Sequence, residues 1–372
     1  MSMGTGTDTK AERIHYIDNL RWITISLLIL YHACMSYNTW GEQNYIFFKA
    51  VKPLAFIVVL ISPWFMPLMF LLAGVSASYS LSRRGYGKFI GERFRRLGIP
   101  LLIGLVINTP ILSYVADLTH NHYRGNFIQH YGIFYSRFTD LSGYDGGFAL
   151  GHLWFLLALI LISIIACLII RLLPHNKIVL LIAGIVFAVA GAAAFDYKPL
   201  GKPLITYLCA FLLGYYFFSK KEFVNRLLAF KWGFVAVFVV TTVANAFLFI
   251  YAGGPKILND IFNYLSLISG LPALMCIGHD HLDFTGKTPG KLSKLSYLFY
   301  IVHFPVVVLS QYFLNLTGMD VLLNFFLTIV IAYLLTYFIC VFLGKLRKSK
   351  GAFVKIMISF IGDDKSGFGE EK

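Results

Sequence analysis

The segment Tyr16-Ile-Asp-Asn-Leu-Arg-Trp-Ile-Thr-Ile-Ser-Leu-Leu-Ile-Leu-Tyr-His32 decides how the rest of the chain is interpreted. It begins a run that is apolar enough to cross a bilayer, yet it contains Asp18, Arg21 and His32. Ionisable groups in a membrane helix are unfavourable unless paired or solvated, so they indicate function by default. In a helix, Arg21 and His32 project about 20° apart and Asp18 about 60° from Arg21. This shared stripe predicts a membrane helix that lines a site; the alternative is a polar seam that only joins helices.

The composition is that of an integral membrane protein. Of the 372 residues, 58% are hydrophobic and 13% are charged, whereas a soluble domain has about 25% charged residues. A net charge of +14 would suggest a nucleic-acid partner in a soluble protein. Here the basic residues fall between apolar spans, so we expect them to set topology and to contact membrane lipid, with no nucleic-acid partner.

Ten apolar runs predict an all-α, polytopic protein with about ten transmembrane helices. They cover approximately residues 17–37, 54–80, 98–117, 152–172, 178–195, 203–219, 232–252, 259–277, 295–313 and 321–344. An even number of spans puts both termini on one side of the membrane. Of the 32 Lys and Arg residues, 24 fall in segments on that side and seven on the other. The positive-inside rule therefore predicts a multi-pass plasma-membrane protein, in bacteria the inner membrane, with both termini cytoplasmic.

The same pattern divides the chain into three parts. We expect a cytoplasmic N-terminal tail over residues 1–15, a transmembrane domain over 16–344 and a basic cytoplasmic tail over 345–372. Basic and apolar residues alternate at the start of the last tail, which predicts an amphipathic helix on the inner leaflet. Segment 118–151 is the longest between spans, and we expect it to form an extracytoplasmic lid or substrate rim.

Six cations follow one another closely between the second and third spans: Arg83, Arg84, Lys88, Arg93, Arg95 and Arg96. Topology alone does not require so many. Because the planar guanidinium forms bidentate hydrogen bonds with phosphate, Arg93, Arg95 and Arg96 are candidate ligands for a nucleotide or CoA phosphate. The alternative is an anchor on anionic lipid.

Candidate histidines occur at four other places in the chain. His152 and Trp154 begin a span at its extracytoplasmic side, where they either contact a polar substrate or belong to an interfacial aromatic belt. His303 lies within a later span, and we interpret it as a structural histidine whose hydrogen bonds are satisfied. The groups around Asp117 and around residues 279–281 lack zinc-ligand spacing, so we expect solvated loop residues and no metal.

Taken in order, these motifs resemble the membrane acyltransferase-3 family. The Arg21-X10-His32 spacing is similar to the family's Arg-X10-His signature. The other similar elements are Met69-Phe-Leu-Leu-Ala-Gly74, Phe89 to Pro100 with Arg93-Phe-Arg95, His152-Leu-Trp-Phe and Ser296-Tyr to His303. The resemblance runs from about residue 14 to 344. Ala73 stands where the family usually has Ser, so no serine nucleophile is expected there. No SGNH-type domain follows, so we expect the transfer to be completed within the membrane part.

The resemblance implies transfer of an acyl group, with acetyl expected, from cytoplasmic acyl-CoA to a hydroxyl of an extracytoplasmic carbohydrate. It implies His32 as the general base or as an acyl-histidine relay, and we assign Asp18 to pairing with Arg21 or to orienting the site. Arg93, Arg95 and Arg96 would then hold CoA phosphates, and His152 and Trp154 the acceptor. The alternative function is a transporter or flippase for a lipid-linked or acidic glycan. A purely structural scaffold is disfavoured because it would bury three ionisable groups without use.

Overall fold

The computed structural model describes residues 14–172 and 201–348, and within these ranges it contains helices and no strand. Thirteen α-helices are present in this part of the chain. They are α1 (His15–Met35), α2 (Lys52–Ile61), α3 (Phe65–Arg84), α4 (Tyr86–Arg93), α5 (Ile99–His120), α6 (Phe127–Ser136), α7 (Trp154–Leu172), α8 (Leu204–Leu213), α9 (Lys221–Leu228), α10 (Lys231–Phe247), α11 (Lys256–His281), α12 (Lys287–Asn315) and α13 (Val321–Lys348). Short π-helical turns follow α4, α8 and α10, and a 3₁₀ turn precedes α7.

The predicted helical membrane class is confirmed, whereas the count of about ten spans is not. Seven segments of the described chain are long and apolar enough to cross a membrane. Helix α1 has the necessary length but is more polar because it carries Asp18 and Arg21. Segment Leu204–Phe218 is shorter than those seven. The predicted span 178–195 and most of both predicted tails lie outside the described residues.

Helix α1 is the centre of the bundle. It packs against α2, α3, α11, α12 and α13. Its apolar side supplies Leu20, Ile25, Leu28 and Ile29 to the core, each of them at most 5% exposed. Because neighbouring helices surround it, the side chains of its polar stripe meet residues from other helices rather than lipid.

Helices α3 and α8 approach each other at two glycines. A Cβ atom on Gly74 would lie 1.9 Å from the carbonyl oxygen of Phe211, and one on Gly214 would lie 2.1 Å from that of Leu71. No side chain fits at either position, so the two backbones are in direct contact. Gly74, which ends one of the sequence motifs, therefore has a packing role.

The bundle has a basic end, which we define by the arginines of α3, α4 and the π-helical turn after α4. Helix α1 begins at this end, where the Asn19 amide donates to the carbonyl oxygens of Leu282 (2.6 Å) and Phe284 (2.9 Å). The Tyr297 hydroxyl donates to the carbonyl oxygen of Arg96 at 2.6 Å. These bonds fix the beginnings of α1 and α12 beside the cationic turn.

The opposite end is closed by segments 36–51 and 121–150, which we call the rim. The Tyr45 hydroxyl donates to the carbonyl oxygen of Ser142 at 2.9 Å, and the Tyr144 hydroxyl donates to Glu42 at 3.0 Å. Burial and the neighbouring Glu42 carboxylate raise the pKa of Tyr144 well above its usual value. The rim segments therefore hold each other through buried polar contacts.

One prediction about the rim is wrong, because Asp117 is not solvated. It is 2% exposed, since α5 continues to His120 and α6 folds back over it. Its Oδ2 atom lies 3.2 Å from Nε2 of His130, which is fully buried, and its Oδ1 atom lies 3.5 Å from Arg137 Nη1. The Asn121 amide donates to Oδ1 at 2.7 Å. This carboxylate thus connects three parts of the rim.

Candidate active site

Three imidazoles from distant parts of the chain meet near the rim side of α1. His32 lies in the last turn of α1, His152 in the 3₁₀ turn before α7, and His303 in the middle of α12. The ring centroid of His303 is 5.4 Å from that of His32 and 5.3 Å from that of His152. The ring of Phe304 stacks on His32 at 4.0 Å. We call these three histidines the imidazole cluster.

The backbone of α12 fixes the tautomer of His303. Its Nδ1 atom lies 2.7 Å from the carbonyl oxygen of Tyr300 and 3.2 Å from that of Phe299. Carbonyl oxygens only accept hydrogen bonds, so Nδ1 carries the proton and Nε2 is left as an acceptor. That Nε2 atom is buried and has no hydrogen-bond partner among the described residues. The interpretation of His303 as a satisfied histidine is therefore correct for Nδ1 only.

His152 is arranged in the complementary way. Its Nε2 atom donates to the carbonyl oxygen of Ile301 at 2.9 Å, which leaves Nδ1 as the acceptor. Within the described chain that Nδ1 atom also has no partner and is buried. The Tyr300 hydroxyl donates to the carbonyl oxygen of His152 and so holds the 3₁₀ turn against α12. One turn of α12 thus orients two imidazoles, each with one unprotonated nitrogen.

His32 is held by rings rather than by hydrogen bonds. Tyr31 and Phe304 contact its imidazole, with centroids at 5.3 Å and 4.0 Å. Its side chain is half-buried, and no hydrogen bond to it is present in residues 14–172 and 201–348. Lys202 lies within electrostatic range of this imidazole. Burial lowers the pKa of Lys202, and Glu42 opposes that shift. Sequence reasoning counted Lys202 only as a loop cation.

The predicted pair of Asp18 and Arg21 is present at the basic end. Arg21 Nη1 donates to Asp18 Oδ1 at 3.0 Å, and Arg21 Nη2 donates to the Ser76 hydroxyl at 2.8 Å. Ser76 in turn donates to the carbonyl oxygen of Leu72 at 2.9 Å. The guanidinium is therefore fixed between α1 and α3. Nothing in the sequence connected Ser76 with Arg21, because 55 residues separate them.

The predicted phosphate ligands are only partly brought together. Arg93 and Arg96 are half-buried, and Arg93 lies within electrostatic range of both Arg96 and Arg21. The Arg93 guanidinium stacks 4.9 Å from the ring of Phe89. Arg95, the second residue of the π-helical turn after α4, is exposed. Arg21, Arg93 and Arg96, which we call the cationic cluster, therefore concentrate positive charge beside the start of α1.

Between the two clusters, α1 passes a small void of about 10 Å³. Thr24 and Leu28 line it from α1, Met66 and Met69 from α3, and Tyr300 from α12. A void of this size holds at most one water molecule. Methionine side chains adapt their shape easily, so two walls of the void can move without breaking the bundle. A void of about 10 Å³ does not admit a thioester arm.

Trp154 does not join the imidazole cluster. Its ring stacks on Tyr207 of α8 at 5.6 Å, and Lys202 Nζ lies 5.0 Å from its centroid. The predicted acceptor pair of His152 and Trp154 is thus split, because two residues that lie two positions apart at a helix start point to different neighbours. No group of three His, Cys, Asp or Glu side chains in the described residues is arranged to hold a metal ion.

Comparison with known proteins gave one match. A family model described as an acyltransferase domain, that of the acyltransferase-3 family, matches residues 14–345. This range includes every residue of both clusters. Neither the curated proteins nor the solved structures contain a match.

Proposed function

This chain is a membrane acyltransferase of the acyltransferase-3 family, and from that premise we propose that it carries an acyl group from cytoplasmic acyl-CoA to the hydroxyl of an extracytoplasmic carbohydrate. Acetyl is the expected acyl group. The observation that carries the proposal is the position of two clusters on one helix. α1 presents Arg21 to the cationic cluster and His32 to the imidazole cluster, roughly 16 Å apart along its axis.

The cationic cluster suits the phosphates of the donor. Three guanidinium groups lie near one another, and Arg21 is paired with the Asp18 carboxylate. Arginine recognises phosphate bidentately, and a bound anion would relieve the repulsion between Arg93 and its neighbours. With the basic end in the cytoplasm, this cluster faces the compartment that contains acyl-CoA, and both termini of the chain lie there.

The acyl thioester would reach the imidazole cluster along α1. The small void beside Thr24 marks the route, and Met66 and Met69 are the side chains that must move to open it. We therefore propose that donor binding opens this passage. The basic end then admits the CoA phosphates, and the narrow arm with its thioester extends toward His32.

His32 would act as the general base. It takes the proton of the acceptor hydroxyl while the hydroxyl oxygen attacks the thioester carbonyl carbon. The carbon–sulfur bond then breaks, and the imidazolium returns the proton to the leaving thiolate. In the loaded enzyme His303 would accept a hydrogen bond from His32 at its bare Nε2 atom, which would orient the imidazole and stabilise its protonated form. Attack by His32 itself, giving an acyl-histidine, is the other chemistry that the same geometry supports.

His152 would position the acceptor. Its unprotonated Nδ1 atom can accept a hydrogen bond only from a donor, and a sugar offers hydroxyl donors next to the one that reacts. Lys202, within electrostatic range of His32, can balance negative charge that develops on the thioester oxygen. Both residues lie on the rim side, where the carbohydrate would arrive.

The test uses the full chain in proteoliposomes with acetyl-CoA labelled in the acetyl group. We expect label to move onto an added oligosaccharide acceptor in the wild type and free CoA to appear in equal amount. Arg93→Lys and Arg93→Ala, which keep or remove the charge, should both weaken CoA binding because both lose the planar fork. Export of unmodified glycan without consumption of acetyl-CoA would instead establish a transporter. Unchanged CoA affinity in both variants would make the arginines a lipid anchor.

A further inference from the structure

A second, larger cavity lies on the membrane side of α1, away from both clusters. It has a volume of about 260 Å³ and is enclosed by α1, α12 and α13. Leu292, Leu295 and Phe299 line it from α12, and Leu334 lines it from α13. Leu334 is 52% exposed, so the cavity reaches the outer surface of the bundle. We call it the lateral cavity.

The polar side chains that line the lateral cavity already form hydrogen bonds within the protein. Five residues with polar side chains other than cysteine line it: Trp22, Ser26, Ser296, Tyr333 and Tyr337. Each has a hydrogen-bond partner within the protein. Trp22 donates to Asn19 and Tyr333 to the carbonyl oxygen of Ser26, while the two serines donate to backbone carbonyls one turn before them. Tyr337 accepts from Lys291. A polar ligand would lose its hydrogen bonds to water here without replacing them.

The surroundings identify the class of ligand. Helix α13 is among the predicted spans and presents a row of exposed apolar side chains: Leu334, Leu335, Phe338 and Phe342. The surface onto which the cavity opens therefore faces hydrocarbon. Water does not fill an apolar cavity of this kind, whereas a lipid chain gains packing contacts along its walls. The occupant that fits is a hydrocarbon chain.

A cation lies where the chain's head group would be. Lys291 is in the second turn of α12, one residue before the cavity wall begins at Leu292. Its Nζ atom donates to the Tyr337 hydroxyl at 2.6 Å, and in the described part of the chain no carboxylate pairs with it. Its position at the basic end places the ammonium near the membrane surface. An anionic head group would complement this charge.

We propose that the lateral cavity binds one acyl chain of an anionic phospholipid from the leaflet at the basic end, with the phosphate near Lys291. The proposal does not depend on acyl transfer. The acyl chain would fill the space between α1, which carries Arg21, and α12, which carries His303. The lipid would therefore stabilise the packing of the two helices that carry residues of the two clusters.

The first test measures retained lipid. The protein is reconstituted with equal parts of phosphatidylglycerol and phosphatidylcholine, extracted in a mild detergent and studied by native mass spectrometry. We expect one tightly retained phosphatidylglycerol in the wild type. Leu334→Trp fills the cavity and should lower retention at least about tenfold. Leu335→Trp adds the same ring to the neighbouring exposed position and should leave retention unchanged.

The second comparison concerns the head group. Lys291→Gln should still retain a lipid but lose its preference for phosphatidylglycerol over phosphatidylcholine. Lys287→Gln, at the exposed first residue of the same helix, should keep that preference. Equal retention in the two tryptophan variants, or equal preference in the two glutamine variants, would overturn the proposal. Displacement of the lipid from the wild type by palmitoyl-CoA would assign the cavity to a donor chain instead.

A third measurement uses the fluorescence of a tryptophan in the cavity wall. Trp22 lines the cavity, so phosphatidylglycerol with brominated acyl chains should quench its fluorescence on contact. The fluorescence contributed by Trp22 is the difference between the fluorescence of the wild type and that of Trp22→Phe. If low mole fractions of brominated phosphatidylglycerol quench the Trp22 fluorescence, the proposal is supported. Quenching that requires a bilayer made wholly of brominated lipid means that chains touch the surface only, which contradicts it.

Discussion

The imidazole cluster and the rim both bury histidines among aromatic rings, but they equip those histidines differently. At the rim, the ring nitrogens of His130 also lack a well-formed hydrogen bond, but a carboxylate of the protein lies beside them: Asp117 Oδ2 is 3.2 Å from Nε2, and Arg137 approaches the same carboxylate. In the cluster, His152 and His303 each donate one N–H to a backbone carbonyl and leave the other nitrogen bare. A buried polar atom without a partner is unfavourable by about 1–3 kcal/mol. The charged pair suits the rim to holding loops together, whereas in the described chain no carboxylate pairs with the bare nitrogens of the cluster, which suits them to a ligand that brings its own donors.

The largest effect expected from this difference is on activity. His32→Ala should lower acyl transfer by about 10²-fold or more while the protein stays folded, because a general base contributes on that scale. The measurement is the rate of label transfer from acetyl-CoA at equal amounts of monodisperse protein. His279→Ala, which removes a partly exposed histidine at the basic end, is the matched control. Near-wild-type turnover of His32→Ala would show that the cluster is structural, like the rim.

At the rim, the corresponding substitution should affect stability instead. Asp117→Ala removes a carboxylate that is 2% exposed, so Arg137 and Asn121 keep only the carbonyl oxygen of Asp145 as acceptor and lose the charged one. Removing one partner of a buried pair destabilises a protein by about 3–5 kcal/mol. Because Arg137 is 38% exposed and water screens its charge, we expect a loss at the lower end, on the order of 3 kcal/mol. Thermal unfolding in detergent should show the loss. Turnover per folded molecule should stay close to that of the wild type.

If Asp117→Ala instead abolished turnover without lowering the unfolding temperature, the rim carboxylate would belong to the catalytic machinery. Asp140→Ala is a suitable control for general effects of losing a rim carboxylate. Asp140 is exposed, and its hydrogen bonds to described residues are to Ser142 in its own turn. We expect neither stability nor turnover to change much in that variant.

The sequence predicted residues that share one helix better than contacts between distant parts of the chain. Arg21 and Asp18 were found because a helix brings residues three apart together, and His32 followed from the same helical stripe. The bare nitrogen of His303 was not predictable, because it depends on carbonyl groups within α12 and on His152, which lies 151 positions away in the chain. The contact between Asp117 and His130 was also missed, because α6 has to fold back over α5 to make it.

The membrane class of the fold was predictable for a related reason. Apolar length and the Lys and Arg bias are local properties that survive any packing arrangement. The approach of α3 to α8 at Gly74 and Gly214 is not local, since each glycine matters only because the other helix lies against it. Both at the site and in the fold, the sequence did not show which distant residue or helix packs against a given residue.

A smaller effect sharpens the role of His303. His303→Gln places an amide oxygen near the position of Nε2, so a hydrogen-bond acceptor remains while the titratable group is lost. His303→Met fills the same space without that acceptor. If His303 orients His32, the glutamine variant should keep most of the activity and the methionine variant should lose about tenfold, the scale of one hydrogen bond to a charged group.

The pH dependence of the rate in these two variants distinguishes positioning from proton transfer. The glutamine variant should keep the wild-type profile, since His32 still titrates. Equal loss of activity in both variants, with a changed profile in the glutamine form, would mean that His303 itself takes the proton. Equal and nearly full activity in both would reduce His303 to a packing residue.

The smallest expected effect is a pH dependence of stability that arises at the rim. Burial lowers the pKa of His130 below its ordinary value of 6.5, and the Asp117 carboxylate opposes this shift without reversing it. Arg137 also lowers the pKa, and the rings of Tyr114 and Tyr123 complete the surroundings of the imidazole. The folded protein therefore binds fewer protons than the unfolded chain once the pH falls through 6.5. Stability must then decrease as the pH is lowered.

The measurement is the unfolding temperature in detergent at pH values on both sides of 6.5. We expect it to fall on acidification in the wild type and to fall less in His130→Gln, which cannot be protonated. Asp145, whose pKa is lowered because hydrogen bonds from Thr139 and the Gly147 N–H outweigh its burial, titrates from an ordinary value of 3.8 and acts only at lower pH. A rise in the wild-type unfolding temperature on acidification would mean that attraction to Asp117 exceeds the effect of burial. The rim would then be strengthened by a charged histidine, and its contrast with the imidazole cluster would be greater than the structure indicates.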